Sequence, residues 1–204
     1  MVRRWDVVTI GNLSRNRYWG ESDEKPLRPA LCTSTLLTGE GFRLLVDPPL
    51  ADAEAMAFEL FRRTGLRPGA VTAVFVTHGH GDHFAGLGSF SGADWLAAPE
   101  VAAELNASGK AAKPVQGASG RLPGAIDVIP TPGHTANHHS LAFECDGRRV
   151  VVAGDAVMTR DFWDHRQGYF NSADFDQAAA TIDRLAHVAD IVVPGHDNYF
   201  LPRA

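Results

Sequence analysis

Four times along this chain a run of apolar, β-forming residues ends in a turn that carries glycine with a histidine or an aspartate: FVTHGHGDH, PTPGHTANHH, VVVAGDAV and IVVPGHDN. Loops at strand ends carry chemistry when a rigid sheet holds them in position. A fold that uses these residues must therefore bring four strand ends to one rim. Gathered there would be His78, His80, Asp82, His83, His134, Asp155 and His196. Histidine is otherwise scarce, with nine in 204 residues, and three of the nine fall between His78 and His83.

The spacing within that turn has a physical sense. His78 and His80 alternate, so an extended backbone points both the same way. Asp82 and His83 lie further round and face a second point, with Gly79 and Gly81 allowing backbone angles that bulkier residues resist. Two groups of ligands from one turn imply two metal ions a few ångströms apart. The donors are nitrogen and oxygen only, which suits zinc first and is compatible with iron or manganese. Two carboxylates would offset half the charge of two dications. The net positive centre would attract an anionic small-molecule substrate, stabilise an oxyanion and make hydroxide at neutral pH.

The rest of the chain supplies strands and helices in two halves. Asp6 to Gly11 reads as a strand, and CTSTLLTGEGFRLLVDPP as a hairpin turning at Gly39–Gly41. DAEAMAFELFRRTGL reads as a helix with Ala53, Met56, Ala57, Leu60 and Phe61 on one face and Gly65 at its end. VTAVFVT is a buried strand, and Glu100 to Asn106 a second helix. After a soft loop come the strands AIDVIPT, HSLAFEC and RRVVVAG, the helix FDQAAATIDRLAHV and the strand DIVVPG. Such an order argues for sheets covered by helices.

A length of 204 residues suits one domain, 1–204. Net charge is −5 and no basic block stands out, which argues against a nucleic-acid partner. No apolar run approaches a membrane span, and MVRRWDVVTIGNLSRNRY lacks the apolar core of a signal peptide, so the expectation is a cytoplasmic protein with no membrane partner. Cys32 and Cys145 stand alone and read as buried thiols.

With those residues in view, the chain resembles the metallo-β-lactamase-fold hydrolase superfamily from about Ser34 to Tyr199, with its ligand motifs present in order. The resemblance implies an α/β fold, a four-layer αβ/βα sandwich of two mixed β-sheets flanked by helices, with the site at one edge. It gives His78, His80 and His134 to one ion, Asp82, His83 and His196 to another, and makes Asp155 the bridge. A hydroxide between the ions would be the nucleophile, and Asp82 would orient it as well as bind. Asp47, in LLVDPP, matches an aspartate that supports the histidine turn from behind. The activity implied is metal-dependent hydrolysis of an ester, thioester, lactone or phosphodiester.

Departures narrow the choice. The thiolate-type lactamases have cysteine where Asp155 stands, and the acyl-homoserine lactonases have tyrosine where Met158 stands. Glyoxalase II and the RNA-processing members carry additional domains or arms. THGHGDHFAGLGSF and ADIVVPGH are similar to the small single-domain members. Two rival readings remain. A mononuclear iron persulfide dioxygenase of the same fold would use His78, His134 and Asp155, but its glycine-, cysteine- and arginine-containing stretch is replaced here by VMTRDFWDHRQGYFN. A non-catalytic metal-binding protein is the other, and against it stands a complete ligand set.

For the pocket wall, two segments mix aromatics with arginine, a combination suited to stacking and to anion recognition. One is the early loop with Arg15, Arg17, Tyr18, Trp19 and Arg28. The other runs from Thr159 to Asn171 and includes Arg160, Trp163, His165 and Tyr169. Strand alternation predicts that one of His138 and His139 points inward. The tail NYFLP is apolar enough to sit in a homodimer interface.

Overall fold

The computed structural model describes residues 1–202. One sheet has six strands in spatial order β1 (Val2–Thr9), β2 (Ser34–Gly39), β3 (Phe42–Val46), β4 (Ala73–Val76), β5 (Asp94–Ala97) and β6 (Gln116–Gly117). The first three pair antiparallel and the rest parallel. The other sheet has the order β11 (Ile191–Pro194), β10 (Arg148–Gly154), β9 (His139–Cys145), β8 (Ile126–Pro130) and β7 (Arg121–Leu122). It is antiparallel except where β10 and β11 run parallel.

Side-chain alternation builds the layers. Leu36 and Leu45 face outward with Val74 and Trp95, onto Met56 and Leu60 of α1 (Ala53–Thr64) and Val101 of α3 (Pro99–Ser108). Leu37, Leu44 and Phe75 face the other way and meet Leu141, Phe143 and Val150 of the second sheet. Behind that sheet, Val151 and Val192 meet Ile182 and Leu185 of α5 (Phe175–Ala186). The result is the expected helix–sheet–sheet–helix sandwich.

Local signals explain most element boundaries. Asp52 caps α1 by accepting from the Ala55 N–H at 2.8 Å, and Gly65 ends it in the left-handed region. The hairpin turns on Glu40 and Gly41, with Gly41 at φ 76°. β1 starts at Val2 and ends at Thr9, earlier than the Asp6–Gly11 expected, because Arg3 and Arg4 hide the apolar pattern on an exposed edge strand. Phe61 is a second difference: it is 52% exposed rather than on the buried face, and it lies beneath the Arg67 guanidinium. β5 and the short helix α4 (Arg160–Asp164) have no strong signal in the sequence, each being one turn or four residues of ordinary composition. Cys32 and Cys145 are free and buried. Phe200 packs into its own chain at the edge of the α5 layer, so the tail is not wholly available to a partner. Among the described residues, no helix is long and apolar enough to cross a membrane.

Two backbone bonds tie the sheets together where the strand ends meet. The His139 N–H reaches Thr77 O at 3.1 Å, and the Thr33 N–H reaches Gly195 O at 2.6 Å.

Candidate metal centre

The four strand ends converge at one rim. β4 leads into Thr77–His80 and the single-turn helix α2 (Gly81–Phe84), with His80 at its N-cap. The β8–β9 loop brings His134, β10 ends just before Asp155, and β11 just before His196. Two glycines allow the approach. Gly154 sits at φ 52°, and a Cβ there would press on Thr77 Oγ1 and His138 Nε2; a Cβ on Gly195 would collide with the Asp155 carboxylate.

His78, His80, His134 and Asp155 form one group able to hold a metal ion, and Asp82, His83 and His196 form another; within each, the donor atoms lie within 4.8 Å of one another. In the first group, His80 Nδ1 lies 3.0 Å from His78 Nε2 and 2.9 Å from His134 Nε2. Burial, with neighbouring imidazoles adding to it, lowers His78 well below the ordinary imidazole value and lowers His134 to about 4. Both rings turn Nε2 toward His80 Nδ1, so three imidazole nitrogens converge beside Asp155 Oδ2, a donor set that fits a divalent ion.

The outward nitrogens fix the tautomers. Thr77 has one hydroxyl proton and gives it to Asp47 Oδ2 at 2.7 Å. Its oxygen therefore accepts the His78 Nδ1–H at 3.1 Å, leaving Nε2 bare toward the centre. His83 donates Nδ1–H to Asp47 Oδ2 at 2.9 Å. His196 donates Nδ1–H to the carbonyls of Leu31 and Asn12, at 2.9 and 3.1 Å. Asp47 also accepts the Thr77 N–H at 2.8 Å and sits at φ 49°, an uncommon angle for a residue with a side chain. It thus supports both groups from behind the turn.

Asp155 stands between them. Its Oδ1 lies 3.1 Å from His83 Nε2 and 3.2 Å from His196 Nε2, while its Oδ2 lies 3.3 Å from His134 Nε2 and 3.6 Å from His78 Nε2. Asp155 Oδ1 and His83 Nε2 are buried without a hydrogen-bond partner. Burial alone would raise the Asp155 carboxyl; the His83 and His196 charges beside it overcome that and hold it well below the usual range. Burial likewise works against protonating His83 and His196, yet the Asp155 charge prevails and raises both. His138, the inward member of its pair, is fully buried and donates Nδ1–H to Thr131, outside both groups.

A cleft of about 320 Å³ opens over the centre. His80, Asp82, His134, Asp155 and His196 line its floor. Leu13, Ala30, Met158, Tyr169 and Phe170 form the wall, with Ser14 and Asn171 as its polar members. Of the aromatic and basic residues expected there, Tyr169 lines the cleft; Trp19, Arg160, Trp163 and His165 stand outside it. Trp163 is buried against Phe200 and Arg166, Arg160 pairs with Asp164, and His165 is exposed and stacks on Tyr18. Among the described residues no arginine or lysine lines the cleft, though the Arg15 guanidinium lies 3.9 Å over the Phe170 ring of its wall. The sequence gives one local hint of the wall it did not declare: the apolar run VVVAGDAVM continues past Asp155 as far as Met158.

The family model for the metallo-β-lactamase superfamily matches residues 27–196. Metallo-β-lactamase domain-containing protein 1 of Xenopus laevis is 32% identical, over 81% of this chain and 70% of its own length. The human and mouse proteins of that name are matched over 51% and 60% of theirs. An N-acyl homoserine lactonase of Bacillus cereus is 26% identical over 94% of this chain and 85% of its own. The fold is shared with a Bacillus thuringiensis protein solved with N-decanoyl-L-homoserine at its active site, at TM-score 0.70 and 20% identity over 97% of this chain and 94% of that one. Matched along most of its length, and folded so that its scattered histidines meet at one rim, the chain belongs to the metallo-β-lactamase superfamily as a metal-dependent hydrolase.

Proposed function

We propose that residues 1–204 act as one domain, a dinuclear hydrolase that cleaves a small neutral ester, thioester or lactone. The observation that carries the dinuclear reading is the division of Asp155, one oxygen toward each group of ligands. His78, His80 and His134 would hold one ion, Asp82, His83 and His196 the other, and Asp155 both. Two divalent ions, zinc by donor type, would supply hydroxide at neutral pH and charge stabilisation for an oxyanion. Asp82, half-buried and facing the cleft, orients the attacking water and takes up its proton. The apolar wall excludes bulk water and receives the acyl or alkyl part of the substrate.

The wall also selects. A phosphodiester carries a charge that arginine or lysine would normally meet, and among the described residues neither lines this cleft. Tyr169 has no free phenol to help, since its Oη donates to Arg15 O at 2.8 Å. The zinc-loaded protein should therefore turn over nitrophenyl esters, thioesters or lactones with kcat/KM about a hundredfold or more above bis(nitrophenyl) phosphate. A phosphodiester preference in that panel would reject the neutral-substrate reading. Elemental analysis should find about two zinc ions per chain; one iron instead would reject the dinuclear reading.

Metal retention should depend on pH in two steps. His83 and His196 are raised, so protons compete with metal there first as pH falls. His78 and His134 are lowered, the latter to about 4, so protons compete with metal there only in stronger acid. Dialysis at successive pH values between 7.5 and 4.5 should take the stoichiometry from about two to about one before the rest is lost. Simultaneous release of both ions would contradict this.

A further inference from the structure

The chain from Asn12 to Leu31 forms a strap along one side of the cleft. Its feet are joined by two backbone bonds, Asn12 N–H to Leu31 O at 2.8 Å and Leu31 N–H to Asn12 O at 3.1 Å. The carbonyls of those feet are the ones that hold His196. Leu13, Ser14 and Ala30 belong to the strap and line the cleft. Above the feet the strap is closed on itself: the Arg28 guanidinium bonds Leu13 O and Glu21, and the Leu27 N–H bonds Ser14 O.

The crown of the strap is a short 3-10 turn, Arg17–Trp19, capped by the buried Asn16, which accepts the Tyr18 N–H at 2.9 Å. Here it meets α4. A single oxygen, Asp161 Oδ2, accepts the Asn16 Nδ2–H at 3.1 Å and the Trp19 Nε1–H at 2.9 Å. Both donors are neutral and both come from the strap. Among the described residues no cation pairs with Asp161, so its charge is directed at these two bonds. Around it, Tyr18 donates to Gln167 at 2.6 Å, and Leu13 packs with Met158, Phe162 and Tyr169 in an apolar cluster separate from the three main layers. Leu13, Met158 and Tyr169 are thus at once the seat of the strap and the wall of the cleft.

We propose that Asp161 is a positioning residue that latches this strap onto α4, and thereby sets the width of the cleft and its affinity for bulky substrate groups. This rests on the hydrolase reading above. Asp161 lines neither the cleft nor the metal groups. The latch and the feet are separate, so loosening the crown leaves the carbonyls on His196 in place. Binding of a large substrate group and the chemistry at the ions should therefore respond differently to its loss.

The test compares Asp161→Ala and Asp161→Asn in zinc-loaded protein. Asp161→Ala should raise KM for a bulky ester about tenfold, the scale of one hydrogen bond to a charged acceptor. It should leave kcat within about twofold and zinc content unchanged. Asp161→Asn should recover most of the loss, because one amide oxygen can accept both bonds. Combined with Trp19→Phe, Asp161→Ala should be non-additive. Amide hydrogen exchange should accelerate in residues 13–28 of Asp161→Ala and not elsewhere. A merely structural role would lower melting temperature, zinc content and kcat together, and that result overturns the proposal. So does an unchanged KM with unchanged exchange in residues 13–28. Exchange needs no turnover, so a protein that hydrolyses nothing would end the hydrolase reading while the latch is still decided.

Discussion

His80→Ala and Asp155→Ala are each expected to abolish hydrolysis while leaving the fold largely formed. Metal ions held there would contribute several kcal/mol of charge stabilisation in the transition state, so losing a ligand should cost about three orders of magnitude in kcat/KM or more. His80 is only half-buried and its removal opens no cavity in the core. Asp155 is buried, and without it His83 and His196 lose the charge that raises them, so burial favours their neutral form and the sheets need not come apart. Circular dichroism, zinc content and kcat/KM on the same preparations check this. Retained turnover in either variant would reject the ligand assignment.

The second large effect is on stability. Asp47→Ala removes the acceptor of three buried donors: the Thr77 N–H, the Thr77 hydroxyl and His83 Nδ1–H. Breaking a buried, hydrogen-bonded charge pair on one side typically costs about 3–5 kcal/mol. The left-handed backbone at φ 49° adds to it, since alanine tolerates that region less well than aspartate. Because Asp47 steadies His83 directly and His78 through Thr77, zinc affinity should also fall about 10- to 100-fold. Asp47→Asn keeps one acceptor oxygen and should lie between. Urea unfolding with and without zinc separates the two contributions. A midpoint close to that of the native protein would show that Asp47 bears no such load.

The convergence of the candidate ligands was legible in the sequence because their logic is local. Each strand end announces itself by an apolar run, a glycine and a donor within a few residues, and the structure brings all seven side chains to one rim. The residues themselves argued only for sheets covered by helices, and the four layers came with the family resemblance; in the structure Leu36 and Leu37 alternate between the layers, and so do Leu44 and Leu45. The wall of the cleft was not legible in the sequence. Leu13, Met158 and Phe170 look like ordinary apolar residues, and only tertiary folding brings them together. Arginine beside aromatics suggested a wall that binds anions, yet Arg17 pairs with Asp23 and Arg160 with Asp164, while Arg15 lies over the Phe170 ring. Periodicity also misplaced Phe61, because a helix face wide enough to hold both Leu60 and Phe61 is wider than the groove that receives it.

The hold on His196 has a consequence for how the molecule comes into being. Its imidazole hangs from carbonyls 165 and 184 positions earlier in the chain. Contacts of such sequence separation form late and slowly, since loop closure must precede any gain from them. On the ribosome, the histidines of the β4 turn emerge long before β11 does. A nascent chain therefore carries one half of the centre while the other half has yet to be made. The complete centre reports that folding has finished, and the rate at which a refolding chain brings His196 to the histidines of the β4 turn should track its slowest folding phase.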